Sequence, residues 1–246
     1  MLPVWKRVRS ALALVRWREF ALAAGHCPFC GRTLLVRLRN DITGVRCVRC
    51  AAGVVQLSLG HAMRRRRSDL RTLDVCELSA HGPLADYLRR QARSAALSEY
   101  FTDALPGEFR RGVRCEDVQR LTYVDASFDL VTHTEVLEHV PDDARALSEL
   151  RRVLKPGGTM LFTVPLHDGE ITLERARVRG NSIEHLLPPV YHDDPLRGTG
   201  ILAFRDYGSD ILERLRSAGF QRAWIEPANV SGVPWGYGYA VVLAER

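Results

Sequence analysis

ASFDLVTHTEVLEHVPDDARALSELRRVLKPGGTMLFTVP, residues 126–165, reads as strand, helix and strand in succession. SFDLVTHT is an apolar run of strand length. DDARALSELRRVL follows with Ala144, Leu147, Leu150 and Leu154 at spacings of three and four, the period of one helix face. Pro156 stops that helix, and Gly157 and Gly158 suit a tight turn into GTMLFTVPL, the next strand. Outward from this unit the alternation continues. TLDVCELS (72–79) reads as a strand, HGPLADYLRRQAR (81–93) as a helix, and ALSEYF (96–101) and GVRCEDV (112–118) as strands. GSDILERLRSAGF (208–220) is a late helix, and FQRAWIEP (220–227) and YAVVLAE (239–245) close the pattern. Such alternation predicts a mostly parallel sheet with helices on both faces. Ligands of such sheets bind at the carboxyl ends of the strands, so residues there are the first candidates for function.

The chain begins differently. HCPFCGRTLLVRLRNDITGVRCVRC, residues 26–50, places 16 residues between two CxxC pairs, Cys27 with Cys30 and Cys47 with Cys50. The intervening segment can form a hairpin with NDITG at its tip, bringing the four sulfurs together. Four soft thiolates in a tetrahedral set favour zinc, and a closed coordination sphere makes the metal structural. The rival reading is a redox CxxC; two matched pairs at ribbon spacing argue against it. His26 and His61 flank the pairs as bystanders. Cys76 and Cys115 stand alone in strand-like segments and read as small buried hydrophobes.

Charge divides the chain in the same place. Residues 1–72 hold 15 Lys/Arg against three acids, whereas the rest carries a net negative charge within an overall +6. Two modules follow, the first made of a basic amphipathic helix over 1–24, the ribbon over 25–60 and a basic linker over 61–71, the second the larger domain over 72–246. Trp5, Val8, Leu12 and Val15 mark the apolar face of the first helix. Arg64 to Arg67 read as solvated linker charge or as a contact for phosphates. No apolar run approaches the roughly 20 residues of a membrane span, and residues 11–15 are too short for a secretory core, so a cytoplasmic protein is expected.

Residues 72–165 resemble class I S-adenosylmethionine-dependent methyltransferases, specifically the methyltransferase type 11-like domain. The FDLV strand, the helix running into LKPGG and the strand after it carry the resemblance. Residues 166–246, with EHLLPPVYHDDP, resemble a bacterial subset. The resemblance implies a Rossmann-like doubly wound α/β fold with a mostly parallel seven-stranded sheet. It also implies S-adenosylmethionine as donor. The first strand-to-helix turn departs from the family's acid followed by GxGxG: CELSAHGPLADYL keeps Glu77 and Gly82, with Ser79 and Ala80 small enough for close approach. By resemblance, Glu99 meets the ribose hydroxyls, Glu116, Asp117 and Val118 meet adenine, and His133 and Thr134 lie near the methionine end.

Methyl transfer is an in-line displacement, to which orientation contributes most. Where the acceptor must lose a proton, His139, Tyr191 and His192 are the candidate bases. No NPPY-type tetrapeptide follows the fourth strand. A small-molecule or saccharide-type acceptor is the expected substrate. One alternative is RNA methylation with the basic ribbon as docking module, although Phe29 is the only aromatic residue in residues 26–50 for stacking bases. A further alternative is a non-catalytic donor-binding or scaffold protein.

Overall fold

The structure is a computed structural model and describes residues 16–67, 69–193, 200–227 and 233–246. It opens with three antiparallel strands, β1 (Ala21–Cys27), β2 (Gly31–Arg37) and β3 (Val45–Cys47). β2 and β3 are the hairpin expected between the CxxC pairs, and Asp41 caps the short turn at its tip by accepting from the Thr43 N–H at 2.8 Å. The helix expected over 1–24 needs correction. Residues 1–15 lie outside the described part, but residues 17–19 form a turn and Ala21 onward a strand. Pairing with β2 over seven residues satisfies this backbone as a ladder instead of a helix.

A second correction follows. Residues expected to end the ribbon and form a linker are helical: α1 spans Val54–Arg66. The remaining elements are β4 (Asp74–Glu77), α2 (Pro83–Gln91), β5 (Ser94–Glu99), β6 (Phe109–Arg110), β7 (Val113–Cys115), β8 (Phe128–Thr134), α3 (Asp143–Val153) and β9 (Leu154–Thr163). Then come six short strands, β10 (Leu173–Glu174), β11 (Ala176–Arg179), β12 (Ser182–His185), β13 (Tyr191–Asp193), β14 (Gly200–Leu202) and β15 (Arg205–Asp206). The chain closes with α4 (Ile211–Ser217), β16 (Arg222–Glu226) and β17 (Val241–Glu245).

The central sheet runs β16-β17-β9-β8-β4-β5-β7-β6. β9, β8, β4, β5 and β7 are parallel; β17 and the two-residue β6 run against them, and β16, antiparallel to β17, runs with them again. The expected seven strands are present, with β6 added at the edge. Alternation along each strand sorts the core into two layers. Val75, Leu130, Leu161 and Leu243 face α1 and α2, meeting Leu59, Met63, Leu84 and Leu88. Cys76, Val131, Met160, Phe162 and Val242 face α3 and α4, meeting Leu147, Leu150, Ile211 and Leu215. The supposed linker is therefore one of the helices that close the sheet.

α3 begins where Asp142 accepts from the Arg145 N–H at 3.0 Å and ends at Val153. Ala144, expected on its buried face, is exposed; Ala146 is buried. Leu154 already pairs with Phe128, and the next pairing is Leu130 with Thr159, so residues 155–158 loop out. Gly157 has φ +76°, which explains glycine at that turn. Among the described residues, no helix is long and apolar enough to cross a membrane.

Candidate functional site

The strand order reverses at β4, which has β5 on one side and β8 on the other. A crevice at the carboxyl ends of these strands is the expected ligand site. Gly82, with φ +95°, opens α2 and completes the turn after β4. Glu99, the last residue of β5, reaches across to that turn. Its Oε1 accepts from Ser79 Oγ at 3.0 Å and from the Ala80 N–H at 2.9 Å. A carboxylate thus holds the turn that lacks the glycines of the family pattern.

Glu77 ends β4 and is buried, with a hydrogen bond from the Thr132 hydroxyl. Burial pushes its carboxyl up to about 8. Glu116, after β7, is also buried and fully engaged: Arg114 donates to it at 2.6 Å and the Thr122 N–H at 2.8 Å. Asp117 is half-buried and accepts from the Gln119 N–H at 2.9 Å, with Val118 buried beside it. His133, expected near the donor, points into the core. It is fully buried and stacks on Phe162 with centroids 4.7 Å apart, and desolvation holds its imidazole down at about 3. Strand alternation sends it inward, and half-buried Thr134 stands at the strand end.

Past β8 the chain enters a short turn, Leu137–His139. Glu135 precedes it with φ +53°, a left-handed conformation uncommon outside glycine and often found at functional sites. Burial, with Glu138 adding repulsion, pushes the Glu135 carboxyl up to about 7, and the Tyr239 hydroxyl donates to it at 3.0 Å. His139 Nδ1 lies 2.8 Å from the Leu202 carbonyl oxygen. β13 brings His192 to the same place: its ring stands edge-on to His139 at 4.9 Å, and the adjacent Glu138 carboxylate raises its basicity. Tyr191, one residue earlier, faces the other way and is exposed. Of the three candidate bases, the fold brings together His139 and His192.

Three residues of this region escaped the sequence reading. Glu138 is fully buried between the histidines. Tyr239 comes from the segment just before β17. Arg205, buried on β15, donates to the carbonyls of Leu137 (3.1 Å), Val140 (2.6 Å) and Pro141 (2.8 Å) and so pins the turn. Only the spacing of two acids before His139 hinted at any of them.

At the N-terminal module, Cys27, Cys30, Cys47 and Cys50 converge, their sulfurs all within 4.8 Å of one another. None of the four is in a disulfide. Four sulfurs so placed fit a tetrahedral metal.

Residues 73–162 match the family model described as a methyltransferase domain. Over that stretch the chain is similar to methyltransferase domains. Ubiquinone biosynthesis O-methyltransferase of Coxiella burnetii is 34% identical over 80 residues, which are 32% of this chain and 34% of that protein. Phthiotriol/phenolphthiotriol dimycocerosates methyltransferase 1 of Mycobacterium ulcerans is 31% identical over 137 residues, covering 50% of this chain and 49% of that one. The chain thus spans about a third to a half of the length of these curated relatives. A solved S-adenosylmethionine dependent methyltransferase from Mesorhizobium loti superposes with a TM-score of 0.51 at 16% identity, over 79% of this chain and 100% of that one. That likeness establishes the shared Rossmann-like fold of the methyltransferase domain.

Proposed function

We propose that this protein is an S-adenosylmethionine-dependent methyltransferase acting on a small-molecule acceptor, with a structural zinc in its N-terminal ribbon. The match of residues 73–162 to the methyltransferase domain carries the reading, since it covers the strand ends where the candidate residues gather. Glu99 is the ribose ligand: its Oε1 holds the turn after β4, and its second carboxylate oxygen can accept from a ribose hydroxyl. Asp117 and Val118 take the adenine edge, while Glu116, committed to Arg114, supports them from behind. Glu77, Ser79, Gly82 and Thr134 border the methionine end. His139 and His192 lie on the acceptor side.

Two observations favour a small molecule over RNA. The relatives are named for ubiquinone and for phthiotriol dimycocerosates. Each arginine of the basic run is also engaged within the protein: Arg64 with the Pro28 carbonyl at 2.9 Å, Arg65 and Arg66 with Glu226, and Arg67 with Thr159 at 2.6 Å. In the segment between β9 and β13, Leu173, Val178, Ile183, Leu186 and Leu187 expose apolar side chains. An acceptor with an apolar body suits that surface better than a bare saccharide.

The reading is tested by offering the full chain S-adenosylmethionine with a labelled methyl group, together with hydroxylated apolar compounds, sugars or RNA. Label is expected in an organic-extractable acceptor. Label confined to RNA, or none in any acceptor, counts against it. Elemental analysis is expected to find about one zinc for the four-thiolate site; iron, or no metal, rejects the ribbon.

A further inference from the structure

Glu138 has no assigned task in methyl transfer, yet the fold confines it with care. Its side chain is fully buried, and among the described residues neither carboxylate oxygen has a hydrogen-bond partner. Burying a carboxylate without compensation is costly, so such a group calls for a cation. Its Oε1 faces two imidazole nitrogens, His139 Nε2 at 3.6 Å and His192 Nδ1 at 3.7 Å. Both distances exceed the roughly 2.7–3.2 Å of an N–H···O hydrogen bond. They approach the edge of a coordination polyhedron, where bonds of about 2.0–2.2 Å set neighbouring donors roughly 2.8–3.6 Å apart.

The tautomer of His139 points the same way. The Leu202 carbonyl can only accept, so Nδ1, 2.8 Å away, carries the hydrogen. In the neutral ring Nε2 then presents a lone pair to the carboxylate, acceptor against acceptor. Metal-bound histidines are oriented by this kind of outer hydrogen bond. β14 supplies the Leu202 carbonyl, and its partner strand β13 supplies His192, so one strand pair holds both a donor and its support.

We propose that Glu138, His139 and His192 bind a divalent first-row transition-metal ion. The three donor atoms lie within 4.8 Å of one another, in a site separate from the four cysteines. Two imidazoles select such an ion over magnesium or calcium, which prefer oxygen donors. Three protein ligands leave positions open to an oxygen donor from water or the acceptor, and the imidazoles serve as ligands in place of the base role.

The test is a cobalt(II) titration of the full-length, zinc-loaded protein, and it needs no methyl donor or acceptor. One equivalent is expected to bind with d–d absorption but without the thiolate-to-cobalt charge-transfer band. His192→Ala and Glu138→Gln should each weaken binding by more than the roughly 10–100-fold that losing an outer partner costs. His185→Ala, on the exposed β12, should bind as the wild type does. His192 is itself only half-buried, so its variant decides the matter if Glu138→Gln fails to fold. Cobalt appearing only with the thiolate band, or binding unchanged in His192→Ala, would overturn the site. In that case the buried carboxylate shares a proton with an imidazole, and the methyl-transfer reading stands untouched.

Discussion

Glu77 shows how a strand-end acid reports on its surroundings. Burial holds its carboxyl at about 8, above the ordinary 4.5, so the folded protein keeps a proton that the unfolded chain releases. Stability from this group is therefore fully present below about 4.5 and falls as pH rises towards 8, by up to about 1.4 kcal/mol per unit. Glu77→Gln removes the slope. Urea denaturation at pH 5 and pH 9 should show the variant gaining on the wild type at the higher pH; parallel behaviour would mean the carboxyl titrates normally. That Glu77, Glu99 and Asp117 stand at or just past strand ends was legible in the sequence because a parallel sheet brings successive strand ends side by side. Glu138 was not, because its meaning depends on His192, which lies 54 residues away and arrives on a separate strand pair. His133 was misread for a simpler reason: position in a motif does not say to which face of a strand a side chain turns.

Among the elements, α1 was the hardest to read. Val54, Leu57, Ser58, Leu59, Gly60, Ala62 and Met63 are buried, so apolar residues surround the helix and leave no amphipathic period. The arginines that follow suggested a linker, whereas they fasten the helix end to Glu226, Thr159 and Pro28. Gly60 is where α1 meets the first CxxC pair. A Cβ there would stand 2.6 Å from Pro28 Cγ and 2.7 Å from Phe29 Cζ. Gly60→Ala should thus destabilise the protein by about 1–3 kcal/mol through overpacking, read as a lower urea midpoint. The turn after β8 gives a second test. Arg205 satisfies three carbonyls with one planar fork, which the point charge of lysine cannot reproduce. Arg205→Lys should cost about 1.5–3 kcal/mol in thermal or urea unfolding. A loss below half a kilocalorie would show that the turn holds without it.

On the scale of the molecule, the ribbon and the candidate site are joined by the segment before β17. Val233 and Trp235 pack with the ribbon core, and the Tyr237 hydroxyl donates to Asn40 at 2.9 Å. Tyr239 donates its N–H to Ser58 on α1 and its hydroxyl to Glu135. Removing one of the four sulfurs in Cys47→Ser should raise hydrogen exchange in residues 21–53 and 233–239 while β8 and β9 stay protected. Uniform loss of protection would mean the sheet does not stand without the ribbon. The two modules were legible from the cysteine spacing and the charge split, but their mutual packing was not, since it rests on contacts between residues nearly 200 positions apart. Everything in the functional account depends on the crevice at the β4 switch point accepting the methyl donor. Calorimetry of S-adenosylmethionine with the full-length protein tests that most directly. Saturable binding of about one donor per chain is predicted, weakened by about 1.5–3 kcal/mol in Glu99→Ala as a hydrogen-bonded charge is lost. No binding to the folded wild type, or equal affinity in Glu99→Ala, would contradict it.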